Sequence, residues 1–234
     1  MLCYCLYGCG DACMTAAPGT AAGKKTRGKG GRKNTAGKKR KQRERVRALR
    51  IAAVALSLVV LLSALLYFVN RRMEKRTYRL AYAETIRQES AAFGLDPYLV
   101  AAVIHCESSG RADAHSPKGA CGLMQIMPAT GAWIAEKLAI PSFTEEMLYE
   151  PEQNIRFGCW YLSYLMQKYD GETDLALAAY NAGPGNVKKW LEDPACSKAG
   201  HLKVIPFAET EKYVKRVNAA CGKYRELYEK ELAQ

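Results

Sequence analysis

Glu107 is the residue whose sequence surroundings best suit acid–base chemistry. It follows an apolar stretch, residues 100–104, that has the composition of a buried helix. Burial beside such a surface disfavours the charged carboxylate, so the pKa rises and the group keeps its proton near neutral pH. A general acid that protonates a leaving oxygen needs this property. Taken alone, the position also fits a solvated glutamate at a helix end.

Four blocks of sequence give Glu107 a more specific context. They span residues 107–130, 154–162, 178–187 and 205–214. Within them, Gly-Leu-Met-Gln at 122–125 and Tyr-Asn-Ala-Gly-Pro-Gly at 180–185 form a highly specific combination. On these residues the chain resembles the soluble lytic transglycosylase family, lysozyme-like enzymes with a transglycosylase SLT domain (glycoside hydrolase family 23).

The resemblance implies an enzyme whose substrate is the glycan strand of peptidoglycan, with Glu107 as the catalytic residue. It also implies six substrate-binding residues. These are Ser116 facing the N-acetyl group, Gln125 and Met127 lining the cleft, Tyr180 and Asn181 beside the carboxyl, and Glu209 as a further cleft acid. No metal and no organic cofactor is expected for the reaction that the family carries out.

The implied reaction uses one carboxyl where most glycosidases use two. Glu107 would protonate the oxygen between N-acetylmuramic acid and N-acetylglucosamine, and the acetamido oxygen would help to stabilise the oxocarbenium-like centre. The deprotonated carboxylate would then take the proton of the C6 hydroxyl, which closes a 1,6-anhydro ring. This intramolecular attack benefits from a high effective concentration.

Three alternatives stay open at this stage. A hydrolytic muramidase on the same fold would use Glu209 or Asp113 to position water. A catalytically silent peptidoglycan-binding module is disfavoured by the intact set of site residues. A nucleic-acid-binding protein is suggested only by the basic tail, and the rest of the chain shows no basic patch with interleaved aromatic residues. Nucleic acid is therefore not expected as a partner.

Helix breakers divide the second half of the chain into helical segments. The pattern predicts a helix over residues 82–93 that Gly94 ends, followed by one that Asp96 caps and Pro97 begins. Further helices are predicted from Pro128, from Pro151 to about Tyr169, over residues 174–182 before Gly183-Pro184-Gly185, and over residues 210–227. Strands are expected only as short pieces. We therefore predict that residues 78–234 form an all-α domain, as the lysozyme-like fold of the family requires.

Residues 51–69 are nineteen residues without a charge. As a helix they would span roughly 28 Å, close to the hydrocarbon thickness of a bilayer. A buried soluble helix and a cleaved signal peptide are the alternatives, but no small-residue cleavage site follows the apolar stretch. The pattern favours one uncleaved transmembrane anchor, joined to the domain by a linker at residues 70–77.

The charge of the chain is concentrated in its N-terminal tail. Residues 1–50 hold fourteen Lys or Arg against two acidic residues, whereas residues 51–234 hold 21 of each sign. Such a segment is predicted to be disordered over residues 18–50, because it cannot bury enough apolar surface. It could contact anionic lipid head groups.

The distribution of basic residues around the apolar segment indicates the topology. Lys and Arg number ten in residues 31–50 and six in residues 70–89. This excess predicts a single-pass protein of the cell membrane, with a cytoplasmic N-terminus and an extracytoplasmic catalytic domain.

Nine cysteines give no paired zinc-ligand spacing. Cys3, Cys5, Cys9 and Cys13 lie in the tail and are expected to be unstructured thiols, or to lie upstream of the true start. The five cysteines of the domain cannot all pair, so buried free thiols are expected, with one disulfide compatible with an extracellular location.

Overall fold

The structure is a computed structural model that describes residues 31–233. The predictions for the four N-terminal cysteines, and for the tail up to residue 30, lie outside the described residues. Contacts between Cα atoms divide the chain into two units, residues 1–63 and residues 64–234. The second unit contains all the helical elements that position the candidate site.

Helix α1 (Gly31–Thr77) contains the apolar segment. Every described side chain from residue 35 to residue 70 is exposed, and the helix is long and apolar enough to cross a membrane by length and composition. Residues 31–50, predicted to be disordered, are helical, and so are residues 70–77, predicted to be a linker. A helix nucleated in the apolar segment extends at little cost through Lys, Arg, Gln and Ala, which are good helix formers.

Short helices form the second unit. They are α2 (Ala83–Phe93), α3 (Pro97–Ser108), α4 (Pro128–Lys137), α5 (Pro151–Lys168), α6 (Thr173–Ala182), α7 (Pro184–Glu192), α8 (Ala208–Leu227) and α9 (Glu229–Leu232). A 3-10 turn lies at Glu145–Tyr149, and β1 (Ser197–Lys198) pairs antiparallel with β2 (His201–Leu202). The all-α, lysozyme-like prediction is confirmed, and strands occur only as this short hairpin among the described residues.

The local stop and start signals are confirmed where they were predicted. Gly94 ends α2 in the left-handed conformation, and the Asp96 carboxylate accepts a hydrogen bond from Tyr98 N at 3.0 Å to cap α3. The sequence did not predict α7, because the Gly-Pro-Gly segment was interpreted only as a helix end. Pro184 at the first position of a helix needs no N–H partner, so the same segment also starts a helix.

Helix α3 is the centre of the packing. Its residues 100–103 are almost completely buried and small, which lets α8 pack closely along its length. The largest buried side chains come from the helices around it and include Phe157, Leu162, Tyr213 and Tyr224. The five cysteines of this unit are free thiols, and the prediction that they are buried holds for Cys121 and Cys159, whereas Cys106, Cys196 and Cys221 are half-buried. The core therefore holds the C-terminal end of α3, where Glu107 lies, against α8.

Candidate active site

Glu107 lies in the last turn of α3 and is half-buried. Burial raises the pKa of Glu107 to about 7, as the apolar sequence before it predicts. A side-chain hydrogen bond from Tyr213 and the positive charge of Arg216 oppose this effect and lower the pKa. Near neutral pH the carboxyl is therefore divided between a proton-donating and a proton-accepting form, which suits one group for both acid and base steps.

Two tyrosines flank this carboxyl. Tyr180, near the end of α6, donates its hydroxyl hydrogen to Met124 O at 2.8 Å. Tyr213, on α8, is completely buried, and its hydroxyl oxygen has no partner with ordinary hydrogen-bond geometry within residues 35–233. Its contact with Glu107 is therefore looser than a standard hydrogen bond. Burial first, and the charge of Glu107 second, raise the pKa of both phenols, so both stay neutral donors.

The loop between α3 and α4 carries three of the predicted residues. Ser116 Oγ accepts a hydrogen bond from Ala120 N at 2.9 Å, which leaves its hydroxyl hydrogen free to donate. Gln125 has a φ of +49° and donates its amide nitrogen to Ala114 O and Gly122 O. Its side chain therefore stabilises the loop, whereas Met127 is 42% exposed.

Asn154 holds this loop in place from α5. Its side chain is fully buried; Oδ1 accepts from Met124 N at 2.7 Å, and Nδ2 donates to Cys121 O at 3.0 Å and Leu148 O at 2.6 Å. Gly122 lies next to it with φ +77°, where an added Cβ would lie 2.1 Å from Leu148 O. The geometry thus requires glycine at 122 and an amide at 154, a role that the sequence did not assign.

Asn181 and Glu209 belong to the other side of the site. Thr210 Oγ1 donates to Asn181 Oδ1 at 2.8 Å, which links the end of α6 to the start of α8. Glu209 is exposed in the first turn of α8. Tyr213 follows it by one helical turn and therefore lies on the same face of α8.

The structure brings together only part of the predicted set by direct interaction. Glu107 interacts with Tyr180 through its charge, and Tyr180 in turn holds the loop of Ser116 and Gln125 through Met124 O. No contact described for residues 35–233 joins Ser116, Gln125 or Glu209 directly to Glu107. Sequence reasoning missed Tyr213 and Arg216, although the spacing 209, 213, 216 would place them on one helix face.

We expect Tyr213→Phe to move the alkaline limb of the pH–activity profile upward. The substitution removes the hydroxyl whose contact with Glu107 lowers the pKa of that carboxyl, so the pKa rises above about 7. Activity that needs protonated Glu107 then persists to a higher pH, by up to about one pH unit. The measurement is kcat/KM against pH.

Tyr224→Phe is the matched control for this experiment. Tyr224 is a buried tyrosine of the same helix, and its hydroxyl donates to Arg79 O at 3.0 Å, away from the carboxyl. Its profile should stay in place. A Tyr213→Phe profile that stays in place or moves to lower pH would contradict the assignment.

The comparisons with known proteins agree with this geometry. The helical architecture, with one half-buried glutamate at the end of a central helix, defines a lysozyme-like domain. The transglycosylase SLT domain family matches residues 84–201, and the chain belongs to that family.

Relatives and solved structures support the assignment. The soluble lytic murein transglycosylase of Escherichia coli K12 is 36% identical over 156 residues, which are 65% of this chain and 24% of that protein. A transglycosylase of Enterobacteria phage PRD1 is 41% identical over 111 residues, 47% of this chain and 38% of that protein. The crystal structure of the 70-kDa soluble lytic transglycosylase of E. coli has a TM-score of 0.61 at 34% identity, covering 68% of this chain and 26% of the other.

A second solved structure gives the same result. The lytic transglycosylase Slt of Pseudomonas aeruginosa, solved as an inactive mutant, has a TM-score of 0.60 at 36% identity and covers 67% of this chain and 25% of the other. The chain spans about a quarter of the length of the E. coli relative. The shared part is therefore the SLT domain.

Proposed function

We propose that this chain is a membrane-anchored peptidoglycan lytic transglycosylase with Glu107 as its single acid and base. The observation that carries the proposal is one half-buried carboxyl with a pKa of about 7, placed between two neutral tyrosines. The relatives, named as murein transglycosylases, support peptidoglycan as the substrate.

The proposed reaction begins with protonation of a glycosidic oxygen. Glu107 gives its proton to the oxygen of the β-1,4 bond between N-acetylmuramic acid and N-acetylglucosamine, and the C1–O bond breaks. The resulting carboxylate removes the proton of the C6 hydroxyl of the same muramic acid, whose oxygen bonds to C1. The product is 1,6-anhydro-N-acetylmuramic acid, no water is consumed, and Glu107 regains its proton.

The surrounding residues serve binding in this proposal. Ser116 has a free hydroxyl hydrogen that can donate to the acetamido group of the substrate. Tyr180 and Asn181 define the wall beside the carboxyl, and exposed Met127 and Glu209 contribute to the cleft surface. The amide of Gln125 supports this surface from beneath through Ala114 O and Gly122 O.

Analysis of the products distinguishes this reaction from hydrolysis. We expect mass spectrometry of muropeptides released by the purified protein to show anhydro-muramyl ends, each lighter than a reducing end by one water. Reducing ends would instead indicate a hydrolytic muramidase, in which Glu209 or Asp113 positions water; both residues are exposed. No released fragments would indicate a silent peptidoglycan-binding module.

The membrane part of the proposal depends on α1. We propose that residues 51–69 anchor the protein, with a cytoplasmic N-terminus, an extracytoplasmic catalytic domain and a basic segment that contacts anionic lipid. Two observations support it: every described side chain in residues 35–70 is exposed, and a cluster of Lys and Arg precedes the apolar segment.

Truncation tests the anchor. We expect a chain beginning at Arg71 to be soluble and to cleave peptidoglycan, while the full chain leaves the membrane fraction only in detergent. A chain beginning at Tyr78 should also be active, but less stable by about 1 kcal/mol. It lacks the Glu74–Lys223 ion pair at 2.9 Å and the Lys75 cation over the Tyr228 ring at 4.8 Å. A full chain that is soluble without detergent would contradict the anchor.

A further inference from the structure

A cavity of about 300 Å³ lies between the last turn of α3, the middle of α8 and the residue that follows α1. Its polar lining consists of Tyr78, His105, Cys106, Ser109 and Arg216. None of the three groups at the centre of the candidate active site, Glu107, Tyr180 and Tyr213, lines it. The cavity is therefore distinct from that site, although α3 and α8 contribute to both.

The polar groups around this cavity are not paired with one another. Within residues 35–233, the imidazole of His105, the hydroxyl of Ser109 and the guanidinium of Arg216 make no hydrogen bond and no ion pair. The guanidinium alone offers five N–H donors, and the hydroxyl and the imidazole each add one more. A cavity with this many unused donors can pair them with a ligand.

The lining carries one positive charge and no negative charge. Arg216 supplies the positive charge, and no acidic residue lines the cavity. Burial raises the pKa of the Cys106 thiol to about 11, so the thiol stays neutral. Burial first, and the charge of Arg216 second, lower the pKa of His105, whose ring is therefore neutral near pH 7. This charge balance favours an anion as the ligand.

The donors on α3 are held in place before a ligand arrives. The ring centroid of His105 lies 4.9 Å from that of Tyr78 and 6.1 Å from that of Tyr224, so two aromatic rings restrict its orientation. Ser109 has a φ of +57°, and its N–H donates to His105 O at 3.0 Å, which fixes the backbone that carries the hydroxyl. Groups that are ordered in advance cost less entropy when they bind.

We infer that this cavity binds a small tetrahedral oxyanion such as inorganic phosphate through Arg216, Ser109 and His105. A guanidinium binds two oxygens of such an anion through parallel N–H···O bonds. The remaining oxygens point in other directions, where the hydroxyl and imidazole donors of α3 can reach them. A planar carboxylate offers two oxygens in one plane, and both would already be used by Arg216.

A bound anion also acts on Glu107, a consequence that rests on the proposed function. The groups that interact with this carboxyl are Tyr213 and Arg216 of α8, Tyr180 of α6 and Cys106 of α3. Arg216 is the one cation among them in the described part of the chain. An anion that cancels its charge lets the pKa of Glu107 rise above about 7, so activity that needs the protonated form persists to higher pH.

NMR of labelled histidine rings measures the binding directly. The chain has three histidines, and His115 and His201 are exposed and lie outside the cavity. Inorganic phosphate is titrated into the full chain in detergent at constant pH and ionic strength. We expect the His105 signals to shift and saturate while those of the other two stay in place. Arg216→Met should weaken the affinity about tenfold. Lys212→Met is the matched control, because Lys212 is an exposed cation of α8 outside the cavity, and it should bind like the wild type.

The pH profile of cleavage measures the effect on Glu107. Saturating phosphate, compared with chloride at equal ionic strength, should move the alkaline limb of kcat/KM upward by up to about one pH unit in the wild type and in Lys212→Met. In Arg216→Met the limb should already lie at higher pH, and phosphate should no longer move it. A protein that binds phosphate but cleaves nothing would contradict the proposed function and leave the anion site standing.

Three results would overturn the inference. One is a His105 signal that phosphate does not move, even if the protein cleaves peptidoglycan. Another is an affinity for phosphate that is equal in Arg216→Met and the wild type. The third is displacement of phosphate by phosphatidylglycerol added to the detergent micelles, which would assign the cavity to a lipid head group instead of a free anion. We expect phosphatidylglycerol to leave the phosphate affinity unchanged.

Discussion

We expect Glu107→Gln to reduce peptidoglycan cleavage by at least about a thousandfold, because in the proposed reaction one group supplies both proton transfers. The amide keeps the shape of the carboxyl and its contact with the Tyr213 hydroxyl, but it can neither give a proton to the glycosidic oxygen nor take one from the C6 hydroxyl. The measurement is the release of soluble muropeptides from purified peptidoglycan.

Glu89→Gln is the matched control for this loss. Glu89 is a half-buried glutamate of α2 whose pKa is also raised by burial, and it lies outside the candidate site. Its replacement should change the cleavage rate little. If Glu107→Gln cleaves as fast as the wild type, Glu107 has no part in the reaction.

The same substitution has a defined effect on stability. The pKa of Glu107 rises from 4.5 to about 7 on folding. Between these values the folded state keeps a proton that the unfolded chain has lost, so wild-type stability falls as pH rises through this window. Glu107→Gln lacks this dependence. Its melting temperature should match that of the wild type near pH 4 and be higher at pH 8. At pH 8 its free energy of unfolding should exceed that of the wild type by up to about 3 kcal/mol.

Local signals explain which elements could be predicted from the sequence. The start of α3 follows from Asp96 and Pro97, which act through neighbouring backbone groups, and the end of α2 follows from a single glycine. The tail helix over residues 31–50 was not predicted, because composition alone does not reveal that a helix formed in the adjacent apolar segment extends into it.

The candidate site also contains residues that the local sequence predicts and residues that only the tertiary structure reveals. Glu107 could be predicted because the apolar stretch before it suggests burial and because the four blocks around it resemble the SLT family; the apolar stretch alone also fitted a solvated glutamate. The parts that depend on tertiary contacts could not: Tyr213 and Arg216 reach Glu107 from α8, more than one hundred residues later. Gln125 was expected to line the cleft, but its amide nitrogen bonds two carbonyl groups of its own loop. The tertiary structure, and not the local sequence, decides which polar atoms of a side chain remain free to bind a substrate.

Asn154 shows how much of the site depends on such contacts, and Asn154→Ala should have the largest effect on stability. The substitution leaves Met124 N and Leu148 O buried without their described partner, since only Cys121 O keeps another, the N–H of Ile126. Each orphaned group costs about 1–3 kcal/mol, and the lost side chain leaves a cavity. We expect a loss of about 3–5 kcal/mol in the free energy of unfolding, a large part of the total for a domain of this size.

Urea unfolding of the chain beginning at Arg71 measures this loss, with Asn186→Ala as the control. Asn186 is a half-buried asparagine whose amide makes one hydrogen bond, to Ala182 O at 2.7 Å, so its replacement should cost about 1 kcal/mol. Because Met124 O also accepts the Tyr180 hydroxyl, loosening the loop at Asn154 should displace Tyr180 from Glu107 and lower kcat as well. Equal losses of stability in the two variants would show that Asn154 does not hold the loop that carries Ser116 and Gln125.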